Sequence, residues 1–301
     1  MHLNDLEGPI LVAPSPTPFN GNQQVNLDAI KSNASKWLET ELSGFVLGTE
    51  NGEEQLLSIE ERLSIVESVS EVAKNKKLII GGVDNPSIKN TLLESEALVS
   101  AGVDILRIRI PRRRDTIDKY FDEILPKIPA PALIIHQMAP GGFANSMTLE
   151  GASPEQIGRF CSHDNVEGYI SSHLVRFEMM ARKFVPQQKH FWLPNAMLMV
   201  AQIVEGANGG CFMFGNIAPQ VCRKIMSLAL ENKIDEAKKL NDQIVQADWD
   251  ILGQGAAGLK YAMDILGFSG GSPRSPLREL NEDEKNKIKK SLTNANIFKV
   301  N

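Results

Sequence analysis

An arginine cluster near the middle of this 301-residue sequence has the most evident capacity for chemistry. Arg107 and Arg109 are separated by one residue in an otherwise apolar run, so they share one face of a strand. Arg112 and Arg113 follow Pro111. Guanidinium groups bind carboxylates and phosphates through paired hydrogen bonds, so one interpretation is an anion-binding pocket. The other is a structural network of ion pairs, because two unpaired buried charges are expensive. The candidate partners are a bound anion, Glu50, Glu53 and Glu167.

Metal chemistry has little support in the sequence. None of the five histidines and three cysteines shows the spacing of a metal-binding motif. His136, Glu167 and His173 each fall near the end of a predicted strand, but no motif joins them. No metal and no other cofactor is therefore expected. The unpaired spacing of the cysteines favours a reduced, cytoplasmic compartment.

The composition excludes several functional classes. Hydrophobic residues make up 42% and charged residues 23% of the chain, as in ordinary globular proteins with a sizeable core. The net charge of −5 argues against a general nucleic-acid binder, which needs a basic excess. No apolar stretch reaches the roughly 18 residues that span a membrane, and the N-terminus lacks the pattern of a signal peptide. A small anionic metabolite is the expected partner.

Short apolar runs alternate with amphipathic segments along most of the chain, which predicts a parallel sheet with crossover helices. Eight such units in about 220 residues favour a closed (β/α)₈ barrel, also called a TIM barrel, over an open sheet. The predicted strands are 10–13, 44–47, 78–82, 105–110, 132–137, 166–170, 191–193 and 210–214.

The rhythm changes after Pro219, where strands are no longer predicted. Helices are expected over 221–230, 234–252, 256–266 and 282–292. We therefore predict a barrel over residues 1–224 and a helical C-terminal region over residues 225–301.

Five sets of motifs follow one another along the chain: Thr17-Pro18-Phe19, the loop 48–53 (GTENGE) with Leu57-Ser58 and Glu61-Arg62, the segments 206–209 (GANG) and 216–219 (NIAP), Leu259-Lys260 with Leu266-Gly267, and 274–277 (RSPL). In this order they resemble the dihydrodipicolinate synthase / N-acetylneuraminate lyase superfamily of aldolases and dehydratases, from Gly8 to about Leu292. The resemblance implies a TIM barrel with a C-terminal helical bundle, assembled as a homotetramer of paired dimers. It places the active site at the C-terminal ends of the strands.

The chain departs from this family at the residue that carries its chemistry. The family's sixth strand bears a lysine that forms an imine with a 2-oxo acid, and here that position is Ile170. A relocated lysine has no good candidate, because Lys183, Lys189 and Lys260 fall beyond the strand. The resemblance therefore implies the family frame without imine chemistry.

The fifth strand departs as well. The family has a tyrosine that relays protons, followed after a proline by an arginine that holds a carboxylate. His136 is placed in the tyrosine's position, facing the barrel mouth above Ile170 and near Thr49, where its side chain can transfer protons near neutral pH. A histidine with only hydrogen-bonding duties is the alternative. Gly141 and Gly142 follow the proline in place of the arginine.

In the substrate loop only Thr49 matches the family's two threonines. The second falls on Glu50 or Asn51, depending on where one inserted residue is placed. A carboxylate there would repel an ordinary 2-oxo acid.

Two functions remain open from the sequence. One is a lyase-type enzyme acting on a small anionic oxo- or hydroxy-acid, with His136 and Thr49 as catalytic residues. Its substrate-binding residues would be Glu50, Asn51, Arg107, Arg109, Arg113, Gly141 and Gly142. The other is a barrel without catalysis that binds a ligand or protein partner. In both cases a homo-oligomer, dimer or tetramer, is expected.

Overall fold

Eight parallel strands close into a barrel in the computed structural model, which describes residues 1–111, 114–136, 151–172 and 174–299. Each strand pairs with the next in the sequence, and β8 returns to pair with β1, which confirms the predicted (β/α)₈ fold. The strands are β1 (Ile10–Pro14), β2 (Gly44–Leu47), β3 (Leu78–Val83), β4 (Ile105–Arg109), β5 (Ala132–Ile135), β6 (Val166–Ile170), β7 (His190–Leu193) and β8 (Gly209–Cys211).

Helices follow the strands and cover the barrel. Those of the described residues are α1 (Leu27–Leu38), α2 (Ile59–Ala73), α3 (Ile88–Ala101), α4 (Ile117–Ile124), α5 (Pro154–Cys161), α6 (Val175–Phe184), α7 (Met199–Val204), α8 (Pro219–Leu230), α9 (Ile234–Leu252), α10 (Gly255–Ile265) and α11 (Glu282–Asn294). Local signals explain several helix starts: Ser58 Oγ accepts a hydrogen bond from Glu61 N at 3.2 Å, and Ser58 N donates one to Glu61 Oε2. None of these helices is long and apolar enough to cross a membrane.

The strands contribute side chains to two hydrophobic clusters, one on each face of the sheet. Side chains that face the barrel interior pack into one cluster, which includes Val12, Val46, Ile80, Leu133 and Ile170. The alternate side chains face outward and pack against the helices in a larger cluster. Because the faces alternate along a strand, these clusters fix which residues can reach the barrel mouth.

Three strands, β4, β5 and β8, end earlier than the sequence predicted, and β5 stops at Ile135. β4 stops at Arg109, before Pro111, which has no N–H for the ladder. β8 stops at Cys211, and the chain turns into a short 3₁₀ helix, Met213–Asn216, whose residues are all buried. The proposed division at residue 224 stays a prediction, and helix α8 runs across it.

The C-terminal region is fastened to the barrel mouth by a buried ion pair. Glu53 follows β2 and has a left-handed backbone (φ 59°), and its Oε1 contacts Lys260 Nζ of α10. Its Oε2 accepts a hydrogen bond from Arg274 N at 2.8 Å. Arg274 also contacts both oxygens of Glu61, at 2.6 and 2.8 Å. These contacts bring the segment around Leu277 over the open end of the barrel.

Candidate active site

A cavity of about 680 Å³ lies at the C-terminal ends of the strands. Its walls come from the loop after β2, from the ends of β4, β6 and β8, and from the C-terminal region. This is the end of the barrel where TIM-barrel enzymes hold their active sites. Among the predicted site residues, those that line it are Thr49, Glu50, Asn51, Arg107, Arg109, His136 and Ile170.

Arg107 and Arg109 face this cavity and are held by carboxylates. Arg107 Nη2 lies 3.0 Å from both oxygens of Asp84 and 3.1 Å from Gly48 O. Arg109 Nη2 lies 2.8 Å from Asp84 Oδ2 and 3.1 Å from Glu54 Oε1. The prediction of a mouth-facing, acid-paired arginine pair is confirmed. Its candidate partner Glu53 was wrong, since that residue pairs with Lys260.

Glu54 is the most perturbed member of this network. Burial, followed by the adjacent Asp84 carboxylate, raises the pKa of Glu54 to about 7, although the two guanidinium groups act in the opposite direction. A carboxyl group with a raised pKa is more readily protonated. Protonation of Glu54 would leave the guanidinium groups of Arg107 and Arg109 beside one carboxylate, which favours an anion in the cavity.

Three polar atoms beside the cavity are buried and lack hydrogen-bond partners among the described residues. They are Arg107 Nε, Arg109 Nε and Thr49 Oγ1. A buried donor left unpaired costs about 1–3 kcal/mol. Oxygen atoms of a ligand or of water in the cavity would offset that cost. The cavity walls are therefore suited to a ligand with several oxygen atoms.

The floor of the cavity is apolar where the family resemblance calls for reactive groups. Ile170 is fully buried in the interior cluster, and Ile135 packs against the same cluster from β5. The two residues are register partners on adjacent strands. Every lysine of the chain lies in the described ranges, and none lines the cavity.

His136 borders the cavity, and its imidazole also packs against α6. Ile134 belongs to the outer cluster, so the side chain two positions later also points outward. The imidazole is 2% exposed, and its ring centroid lies 5.2 Å from that of Phe177 on α6. The inward position at the end of β5 is Ile135 instead. The acid–base role of His136 stays a prediction.

Ser171 and Ser172 line the cavity directly after Ile170, and sequence analysis did not identify them. Ser171 Oγ donates to Trp192 O at 3.0 Å. Ser172 Oγ donates to Glu178 Oε1 of α6 at 2.6 Å. Burial raises the pKa of Glu178 to about 7. The signal that could have found both serines is their place at the end of β6, and the same signal marks Asp84 after β3.

Some predicted site residues lie outside the described ranges: Arg112, Arg113, His173, Gly141 and Gly142. Their placement stays a prediction. Within the described ranges no three metal-ligating side chains converge. Glu167 lies on β6, next to the strand that carries His190.

Comparison with known proteins gives one consistent relationship. The model of the dihydrodipicolinate synthetase family matches residues 8–295. The 4-hydroxy-tetrahydrodipicolinate synthase of Archaeoglobus fulgidus is 22% identical over 290 residues, covering 94% of this chain and 96% of that one.

Solved structures agree on the fold. A pyruvate complex of the dihydrodipicolinate synthase of Acinetobacter baumannii superposes with a TM-score of 0.85 at 18% identity, covering 97% of this chain and 99% of that one. The N-acetylneuraminate lyase of Mycoplasma synoviae gives 0.81 at 19% identity, with 95% and 97% covered.

Proposed function

Because the chain belongs to the dihydrodipicolinate synthetase family, we propose that it is a lyase-type enzyme that binds a small anionic oxo- or hydroxy-acid and acts on it without an imine. The observation that carries this proposal is the pairing of Arg107 and Arg109 in the cavity wall with Ile170 in its floor. The arginines supply hydrogen-bond donors for a carboxylate. The isoleucine has no amine with which to form a covalent adduct.

Arg107 and Arg109 in the cavity wall can stabilise negative charge on a ligand. Arg107 and Arg109 are fixed by Asp84 and Glu54, so their dipoles and charges are already oriented when a ligand arrives. Fixed groups of this kind stabilise developing negative charge without reorganisation. Thr49 Oγ1 adds a hydroxyl at the same cavity. The proposed substrate-binding set also retains Glu50 and Asn51, and includes Arg113, Gly141 and Gly142 on the sequence prediction alone.

A thermal-shift screen tests the binding part. The panel contains pyruvate, 2-oxobutyrate, 2-oxoglutarate, lactate and inorganic phosphate, each against wild type and Arg109→Met. We expect at least one carboxylate to raise the melting temperature of wild type and to lose most of that shift in the variant. If no compound of the panel raises the melting temperature of wild type at millimolar concentration, the proposal is contradicted.

A second candidate is a barrel that binds a ligand or partner and has lost catalysis. The packing of the His136 imidazole against Phe177 and the apolar pair Ile135 and Ile170 favour it, since aliphatic side chains then make up the floor. Turnover separates the two functions: a ligand found in the screen that is never converted supports the second. The protein is further proposed to be a cytoplasmic homo-oligomer, which light scattering after gel filtration tests for the oligomeric state.

A further inference from the structure

A buried carboxyl group lies directly behind the cavity wall at the end of β6. Glu178 of α6 is 3% exposed, and its Oε1 accepts three hydrogen bonds: from Ser172 Oγ at 2.6 Å, Ser172 N at 2.7 Å and Tyr169 OH at 3.2 Å. Its Oε2 is buried and has no hydrogen-bond partner among the described residues. Oε1 is therefore the oxygen through which the carboxyl group can exchange a proton with the serine.

Ser172 connects this carboxyl group to the cavity. It lines the cavity two positions after Ile170. Its Oγ accepts a hydrogen bond from Leu174 N at 3.2 Å, and its carbonyl oxygen accepts one from Gln202 Nε2 at 3.1 Å. With the two contacts to Glu178, the residue is fixed from α6, from α7 and from its own loop. When the Glu178 carboxyl group is protonated on Oε1, it can donate to Ser172 Oγ, and the hydroxyl proton of Ser172 is then left for a guest in the cavity.

We propose that Ser172 and Glu178 form a proton relay that protonates the carbonyl oxygen of a bound 2-oxo acid. This inference rests on the proposed function. Ser172 passes its hydroxyl proton to the carbonyl oxygen and takes a proton from the Glu178 carboxyl group across the 2.6 Å contact. Water removes a proton from C3 of the acid, so an enol forms and Glu178 is left as a carboxylate. A proton from water then restores the carboxyl group.

The acidity of Glu178 suits this role. Burial raises its pKa to about 7, while the hydrogen bonds from Ser172 and Tyr169 act in the opposite direction. A general acid works best when its pKa lies near the working pH. A purely structural role, in which Glu178 only holds the turn between β6 and α6, needs no such match.

Exchange of C3 protons for deuterium tests the relay. The probes are pyruvate and 2-oxobutyrate in D₂O, followed by proton NMR between pH 5 and 9. Wild type is expected to exchange these protons faster than buffer, with a rate that falls as the pH rises through about 7, because the acid form of Glu178 is lost. Ser172→Ala is expected to lower the enzymatic rate about 100-fold, the scale of acid–base catalysis. Ser172→Thr keeps a hydroxyl and is expected to restore much of it.

Two further variants separate chemistry from structure. Ser95→Ala removes another buried hydroxyl, which donates to Thr91 O in α3, and is expected to leave the exchange rate unchanged. Glu178→Gln is expected to remove the inflection near pH 7. Equal rates for wild type and Ser172→Ala, or an unchanged inflection in Glu178→Gln, overturn the relay.

The relay and the proposed function fail in different ways. If pyruvate raises the melting temperature of wild type but its protons exchange no faster than in buffer, the relay is wrong and binding stands. If no oxo acid of the thermal-shift panel binds, the proposed function is contradicted, and the relay with it.

Discussion

Ile135 and Ile170 are register partners on β5 and β6, and both face the barrel interior. The family resemblance implies an imine-forming lysine at the position of Ile170 and a proton-relaying tyrosine at His136, one residue beyond Ile135. Two aliphatic side chains therefore occupy this part of the cavity floor. We expect the polar residues of the cavity walls to carry any chemistry.

The first prediction concerns covalent chemistry. Wild type incubated with pyruvate and borohydride is expected to gain no reduced adduct, because no lysine lines the cavity. Ile170→Lys buries an amine in an apolar floor, which lowers its pKa and destabilises the fold by more than about 2 kcal/mol. We expect little aldolase turnover from it. Intact-mass spectrometry is the measurement, and Ile170→Met is the matched control. An adduct on a single lysine of wild type contradicts the prediction.

The second prediction concerns Arg109. Its replacement by Met leaves Glu54 and Asp84 with one guanidinium group fewer, and breaking a buried pair in this way costs about 3 kcal/mol. Urea denaturation is expected to show that loss, and Arg109→Met/Glu54→Gln is expected to recover part of it. Lys238→Met breaks an exposed pair with Asp242 and serves as control. If Arg109 has only a structural role, Arg109→Met lowers the stability, but a ligand still raises the melting temperature of the variant as much as that of wild type.

The third prediction concerns pH and Asp248 of α9, whose Oδ2 accepts a hydrogen bond from Met197 N at 3.1 Å. Burial raises its pKa from 3.8 to about 7. The folded state therefore binds this proton more tightly than the unfolded state, and the associated stability is present below pH 3.8 and lost as the pH rises to 7. The loss is about 4 kcal/mol at 1.36 kcal/mol per pH unit.

Asp248→Asn removes this titration. Its free energy of unfolding, measured by urea denaturation from pH 4 to 8, is expected to decline less with rising pH than that of wild type. Asp242→Asn, on the exposed part of the same helix, is expected to follow the wild-type curve. Parallel curves for Asp248→Asn and wild type contradict the prediction.

The fourth prediction concerns the buried pair of Glu53 and Lys260, both almost fully inaccessible. Lys260→Met leaves a buried carboxylate without its partner and is expected to cost about 3–5 kcal/mol. The double variant Lys260→Met/Glu53→Gln is expected to be more stable than Lys260→Met. A double-mutant cycle on urea midpoints measures the coupling, and additive losses would show that the two residues act independently.

The sequence predicted the barrel well because its evidence is local and repeated: eight apolar runs, each with its own turn and helix. It also placed Arg107 and Arg109 on the inward face, since the period of two is fixed within one strand. The role of His136 stays a prediction, because its direction was assigned from a motif alignment and a shift of one residue reverses the direction of every side chain.

Asp84, Glu54 and Ser172 were missed for a different reason. Asp84 and Glu54 acquire their meaning from partners distant in the sequence, Arg107 and Arg109. The partner of Ser172 lies in the helix that follows it, at a position that no motif marks. No spacing rule predicts such pairs. Only closure of the barrel brings the ends of its strands to one mouth.

The pair of Glu53 and Lys260 has a consequence for recombination between relatives. The loop 49–57 and the C-terminal segment 255–281 share one buried acid and one buried base, together with the contacts of Arg274 to Glu61. In a chimera with its crossover in α8, the loop and the C-terminal segment would come from different proteins, and each would lack its own ion-pair partner. The two segments therefore have to be inherited together, and exchange of the loop to change specificity requires exchange of the helices that hold it.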